Sequence, residues 1–515
     1  MKICLLGSTG NMGESVLLEL INEEIIDSIN LLVRSEKKVK VLLKKIKSNK
    51  DKLNFIYGSI GKIEDLELAF KDCDYVINMA AVIPPGSDKN PKSAIIANEI
   101  GAKNVCEVIE KMNPQPKLIH TSTMGIYGDR NYLHPWGEVG DPLLISPFDL
   151  YAVTKMRGEF TVLESNVKTF AVIRQTAMLY DNLLMKNVSD GLMFHTCFNS
   201  PLEWATAHDS AILIRNILRR DNKGELNNSN FWGQTFNLAG GLKNRVTGYE
   251  TLDLGFRIIG ASVHDFFDTN YNSLRNFHGM WFSDGDKLND LFNYQNDIIE
   301  GFWAHVLDTH KYFKLARIVP KKLLKCFVTK PLLKDDNAPM YWVNHNDEAR
   351  IYAYFNGIDK YNAIPKDWNE FKLTIRGEGL KGEKFDYDEI RKTPTHINHY
   401  FDLNKKREDV TIEDLIKVAE AHGGKLITKD FKTGDVYRKL EWETQDGERF
   451  TARANTVLYN GHWYNISYKD YAWDFDRLAK KDKIYQEIWY DAHEKDENKF
   501  YYYDENFKAH YDIVK

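Results

Sequence analysis

The chain has 515 residues, 43% of them hydrophobic and 28% charged, which is more than one core usually organises and too apolar for wholesale disorder. Lys plus Arg (69) nearly balance Asp plus Glu (74), and a net charge of -5 lacks the basic excess that phosphate backbones select, so nucleic acid is excluded as a main partner. The cysteines (Cys4, Cys73, Cys106, Cys197, Cys326) are scattered and form no CxxC pair, which predicts a reduced, cytoplasmic setting without a zinc or disulfide framework. No run approaches the roughly 18 apolar residues of a membrane span, and Met1 opens directly on a strand rather than on a secretory leader.

In chain order, MKICLL reads as a strand, GSTGNMG as a glycine turn and ESVLLELINEEI as an amphipathic helix. The short apolar runs INLLVR, LNFIYG, YVINMAA, KLIHTST and TFAVIRQ follow, with helical stretches such as AIIANEIGAKNVCEVIEKM between several of them. Strands alternating with helices predict an α/β fold with a parallel sheet covered on both faces. The rhythm fades after Gly241, and residues 242–335 read as elaboration near a substrate pocket, including an aromatic stretch from Tyr271 to Trp281 able to line an apolar cavity. Residues 336–515 form a second, α+β unit with turn signals at Gly423-Gly424, Asp446-Gly447 and Asn460-Gly461.

Gly7, Gly10 and Gly13 form a GxxGxxG pattern between a strand and a helix, where backbone must approach a pyrophosphate and helix N–H groups can meet it. Tyr151 and Lys155 stand four apart, so a helix projects both from one face, and an ammonium beside a phenol makes the phenol an effective acid/base near neutrality. Thr123 lies 28 positions before Tyr151, where the apolar run KLIHTST ends.

These motifs, with Ala80 and Ala81, Asn98 followed by Gly101, the Thr121–Gly128 stretch leading to YG, and the later IRQT, HDSA and FNLAGG, resemble in order those of the extended short-chain dehydrogenase/reductase family, which includes the NAD-dependent epimerases and dehydratases. The resemblance covers about half the chain. It implies a Rossmann-type doubly wound sheet, Tyr151 as catalytic acid/base, Lys155 as the residue that lowers its pKa while holding the nicotinamide ribose, and Thr123 in place of the usual Ser on the substrate oxygen. It also implies cofactor contacts from Gly7, Thr9, Gly10, Asn11, Met12, Gly13, Ser59, Ile60, Ala80, Ala81, Asn98, Thr121, Tyr151, Lys155 and Gln175, and a homodimer paired through the Tyr151–Lys155 helix.

Two positions depart from the family pattern: Gln175 follows Arg174 where Pro is usual, and Ser59 stands where Asp is usual. At the end of the second strand, Arg34, with Ser35, Lys37 and Lys38 after it, takes the place of the carboxylate that would bind ribose hydroxyls. A cation there suits a 2′-phosphate, so NADP is the expected cofactor and NAD the alternative.

Residues 311–334 hold eight basic and no acidic residues among Leu, Ile, Val and Phe, a composition shared by solvated connectors and by segments that lie on a membrane surface. In the C-terminal unit, residues 420–470 resemble a treble-clef zinc module whose Cys positions are taken by Leu426, Thr444, Tyr464 and Ser467, with an unrelated hairpin domain as the other reading; no metal is expected. The domains expected are therefore 1–335, binding NAD(P) and a small-molecule substrate, and 336–515. The expected function is hydride transfer between a nicotinamide cofactor and a carbonyl or secondary alcohol. Nucleotide-sugar epimerisation or dehydration, with transient hydride transfer, is the alternative, and a dinucleotide-binding scaffold is the non-enzymatic reading.

Overall fold

The computed structural model describes every residue except 132, 184–189, 228, 372–386, 464–471 and 503–515. Its centre is a seven-stranded sheet of β1 (Lys2–Leu6), β2 (Ser28–Val33), β3 (Leu53–Tyr57), β4 (Tyr75–Asn78), β5 (Lys117–Thr123), β6 (Phe170–Gln175) and β7 (Gln234–Leu238). The spatial order is β7-β6-β5-β4-β1-β2-β3, and every pairing is parallel. This is the doubly wound Rossmann-type sheet expected from the alternation of apolar runs and helices.

Parallel strands buried on both faces need apolar residues at successive positions, and Ile3, Cys4, Leu5 and Leu6 supply them. Ile3 and Leu5 join the core beneath α1 (Asn11–Leu20) and α6 (Ala207–Asn222). Cys4 and Leu6 point the other way, into the core under α3 (Ile63–Phe70), α4 (Gly101–Lys111) and the end of α5 (Leu150–Leu163). One strand therefore holds two layers of helix together, which fixes the position of its carboxyl end.

Beyond the sheet, a third core runs through Met124, Ile126, Phe194, Phe267 and Met280 and continues into Ala338, Trp342, Tyr354 and Trp489. Residues on either side of position 335 thus share one apolar interior. Trp281, in the stretch expected to line a cavity, is instead fully buried and donates its ring N–H to the carbonyls of Leu202 and Val246 at 3.2 and 3.0 Å.

The C-terminal chain has a core of its own around helix Ile412–Ala421 and an antiparallel sheet of Lys425–Leu426, Lys439–Glu443 and Arg449–Arg453. Leu426 pairs with Trp442, and Thr444 closes the Asp446-Gly447 turn by accepting from Glu448 N at 3.2 Å. Trp463 packs edge-on against Trp442 and Phe450 and stacks on His422, which donates to Asp482 at 2.7 Å. Tyr464 and Ser467 lie outside the described residues.

Several polar links dock this unit on the rest. Trp136 Nε1 donates to Ile390 O (3.0 Å), His399 Nε2 to Asp141 (2.7 Å) and His396 Nδ1 to Glu138 (2.6 Å). Gly461, read from sequence as half of a turn signal, has φ +72°, and a Cβ there would lie 2.0 Å from Asp141 O. Only glycine permits that approach.

Candidate active site

Strand order reverses between β1 and β4, so the chain leaves their carboxyl ends in opposite directions and opens a crevice. Two of the three glycines serve the chain's own packing there. Gly7 has φ +87° with the Met79 carbonyl 2.7 Å from where its Cβ would be, and a Cβ on Gly13 would meet Gly7 O at 2.2 Å. Gly10 differs: it is exposed, caps α1 with extended backbone, and its Cβ would find only Gly7 O, at 3.3 Å. The first N–H groups of α1 follow directly, without intrahelical acceptors. Thr9 and Asn11 are half-buried beside it and Met12 is buried.

Arg34 is exposed immediately after β2, and Ser35 caps the helix Glu36–Lys45 by accepting from Lys38 N. Ala80 N donates to Asn78 Oδ1 at 3.2 Å, while Ala81 is exposed. Three other predicted contacts have work inside the chain. Ser59 binds Asp65 through its N–H (2.8 Å) and accepts from Gly61 N (3.2 Å); Ile60 is buried against Gly101; and Asn98 bridges both backbone groups of Val82 while donating to Thr154 Oγ1 at 2.9 Å. Asn98 thereby ties the loop after β4 to α5.

α5 begins where Asp149 accepts from Ala152 N at 2.9 Å, and the other Asp149 oxygen takes a bond from His278 Nδ1 at 3.0 Å. Phe148, just before, has φ +64°, a left-handed conformation costly for an aromatic residue. Tyr151 is half-buried, and loss of solvation pushes its phenol up to about 12, a bond from Thr123 opposing the rise and the Asp149 carboxylate adding to it. Thr123 also accepts from Gly125 N at 3.2 Å and is the β-ladder partner of Gln175.

Lys155 is buried, and its Nζ donates to Thr121 O at 2.5 Å. Burial pulls the ammonium down to about 8, although Glu159, one turn on, works to hold its charge. Among the described residues no hydrogen bond joins Tyr151 to Lys155: the ammonium is engaged by Thr121, and the hydroxyl of Thr123 lies beside the phenol. The sequence spacing places both on one helix, but their partners differ.

Four buried polar atoms at the carboxyl ends of β1, β5 and β6 have no protein partner: Ser8 Oγ, Thr121 Oγ1, Ser122 Oγ and Gln175 Nε2. Buried polar atoms are nearly always satisfied, so those at these strand ends are open to a polar ligand such as a dinucleotide.

Behind Lys155 lies a network that sequence reasoning missed. Glu159 and Arg174 are fully buried and paired at 2.6 Å; Arg174 continues to Tyr127 and to Asn460 O (2.8 Å), and His462 Nε2 donates to Glu159 at 2.9 Å. Burial disfavours charge on either member, yet Arg174 and His462 hold the Glu159 carboxyl well below the ordinary range. Asn460 and His462 come from the C-terminal unit. Nearby, Arg453 N and Thr456 Oγ1 both donate to Glu164 just past α5, and no residue of Leu150–Leu163 is exposed. The C-terminal unit thus covers the Glu159–Glu164 end of α5. Asp149 could have been read from sequence as a helix cap preceding Tyr151. His462 could not, since it meets Glu159 across 303 residues.

Comparison with known proteins bears on this arrangement. Residues 3–180 match the model of the NAD dependent epimerase/dehydratase family. The matched segment runs from β1 past the end of β6 and contains Thr123, Tyr151 and Lys155. A UDP-glucose 4-epimerase of Rickettsia bellii is 33% identical over 121 residues, 23% of this chain and 35% of that protein. UDP-glucuronate 4-epimerase 6 of Arabidopsis thaliana is 39% identical over 71 residues, 14% of this chain and 15% of that one. The match to the Rickettsia bellii enzyme thus spans about a third of its length. Among solved structures, dTDP-glucose 4,6-dehydratase from Bacillus anthracis in complex with NAD is similar at a TM-score of 0.48 and 18% identity, covering 61% of this chain and 98% of that one. UDP-glucose 4-epimerase from Bifidobacterium longum in complex with NAD+ and UDP gives 0.47 and 14%, covering 62% and 100%.

Proposed function

We propose that the chain is an NAD(P)-dependent oxidoreductase that moves hydride between a nicotinamide cofactor and a carbonyl or secondary alcohol. The observation that carries the reading is the approach of Thr123 and Tyr151 at the end of β5, one helical turn from buried Lys155. Gly10, Asn11, Ser8, Thr121 and Gln175 would hold the dinucleotide, which when bound supplies or accepts the hydride.

The chain's own part is proton handling. A phenol held up at about 12 keeps its proton at neutral pH, so Tyr151 is set to donate to a carbonyl oxygen that takes its place as partner of Thr123. Lys155, at about 8, is mostly cationic at neutral pH, and Thr121 O and Glu159 keep it seated in α5's buried face. Arg34, exposed where a ribose-binding carboxylate would stand, supports NADP over NAD. The five cysteines are all free, which suits a cytoplasmic protein. Among the described residues no helix is long and apolar enough to cross a membrane.

A second reading, nucleotide-sugar epimerisation or dehydration, is favoured by the names of the curated relatives, which are UDP-sugar epimerases. The same Thr123, Tyr151 and Lys155 would serve it. The nucleotide that copurifies separates the two: exchangeable NADP supports the first reading, and tightly held NAD with no net redox change in the product supports the second. A protein that binds neither nucleotide overturns both.

A further inference from the structure

The segment Lys311–Lys334 has two faces. Phe313, Leu324, Leu332 and Leu333 turn inward against the neighbouring cores. Tyr312, Leu315, Ile318, Leu323, Phe327 and Val328 turn outward, with Ile318 82%, Phe327 76% and Leu315 63% exposed. These six, from a stretch of 17 residues, make up over a third of the exposed large hydrophobic residues among those described. Scattered single exposures are ordinary, but a concentration of this kind marks an interaction surface.

The cations decide what meets it. Lys314 and Lys325 are paired with Asp308 and Asp268, and Arg317 and Lys321 donate to the carbonyls of Ile258 and Ile259. Lys311, Lys322, Lys330 and Lys334 are exposed and have no ion pair among the described residues. Free ammonium groups thus interleave with outward apolar side chains, on a chain whose net charge is -5. A second copy of the same surface would bring like charges together. A nucleic acid would satisfy the cations but leave Ile318 and Phe327 in water. An anionic bilayer satisfies both, with apolar side chains at the acyl boundary and ammonium groups among the headgroups. We propose that Lys311–Lys334 is a docking surface for anionic lipid bilayers, which attaches the protein peripherally.

The test uses the full-length chain with vesicles of phosphatidylcholine alone and of phosphatidylcholine mixed with phosphatidylserine, read by flotation. The expected result is binding to the mixed vesicles only, weakened by raised salt. The pairs Lys322→Glu with Lys330→Glu, and Ile318→Ser with Phe327→Ser, each lower that binding at least about tenfold. Circular dichroism and melting should match the unmodified chain, because all four side chains are exposed. Equal binding to both vesicle types, no binding to either, or binding that neither pair reduces overturns the proposal. So does a concentration-dependent dimer lost in the Ile318→Ser, Phe327→Ser chain without any vesicle binding, which would assign the surface to a second copy. Retention of single-stranded RNA in place of vesicles would overturn it equally.

Discussion

Replacing Glu159 by Gln keeps the shape of the side chain and removes one charge from the centre of the molecule. Arg174 would be left buried without an anionic partner, its acceptors reduced to the new amide oxygen, Tyr127 and the Asn460 carbonyl. Breaking a buried pair by removing one member costs about 3–5 kcal/mol, much of it the price of the charge left behind. Domains of ordinary stability hold about 5–15 kcal/mol, so the loss is a large fraction, and for a chain of this length it should lower the melting temperature by about 3–5 °C. A second readout separates this from loose packing. Glu159 supports the charge on Lys155 against burial, so Glu159→Gln should carry the Lys155 pKa below its present value of about 8. If turnover needs the cation, activity falls as pH rises through that value, and the falling limb should move to lower pH in the variant. His462→Ala removes one charge-assisted bond, worth about 1.5–3 kcal/mol, and should shift melting less. A Glu159→Gln protein that melts within about 1 °C of the parent, with its falling limb unmoved, would refute the claim that this pair supports the site.

Tyr151→Phe should abolish most turnover while dinucleotide binding, followed by fluorescence titration, largely survives, since the ring stays and only the proton donor goes. Arg34→Ala should weaken NADPH binding about tenfold and leave NADH almost unchanged, checked by titrating both. Ending the chain after residue 335 should give no stably folded product by circular dichroism, because the core through Met124 and Phe194 loses Trp342, Tyr354 and Trp489.

The sheet was legible because its signals are local. MKICLL, buried on both faces, reads as a parallel strand without reference to any partner, and the residues that follow it announce the turn and helix. Thr123, Tyr151 and Lys155 were legible for the same reason: a strand end and a helix of known pitch place them. What surrounds them was not. Whether Tyr151 senses Lys155 or Thr123 depends on which carbonyl captures the ammonium, and Thr121 O lies 34 residues away in the chain. Ser59 and Ile60 sit at the predicted loop, yet Asp65 and Gly101 bind them first. The Asn460-Gly461 pair looked like a hairpin turn because both residues favour left-handed backbone, and nothing in the sequence says that Asp141 O is what requires the glycine.

The C-terminal unit supports the start of α5 as well as its end. A left-handed Phe148 costs on the order of 1–3 kcal/mol, and such a conformation persists only where its surroundings over-determine it. Here the surroundings come from beyond residue 335. Arg350 lies over the Phe148 ring at 5.2 Å, Tyr354 and Tyr501 pack beside it with centroids 6.5 Å away, and Tyr354 donates to Pro147 O at 3.2 Å. Asp149 follows, capping the helix, and Tyr151 comes two residues later. At the other end, His462 and Asn460 close the pair behind Lys155, and Arg453 and Thr456 bind Glu164. The unit therefore fixes both the entry angle of α5 and its seat against the sheet, while the matched segment 3–180 carries Thr123, Tyr151 and Lys155. Catalysis that depends on placing a phenol within hydrogen-bond reach of a substrate oxygen tolerates little slack in the helix carrying it. On the proposed reading the extra domain is part of the site's scaffold, and turnover and global stability should respond together to changes at Phe148, Glu159 or His462.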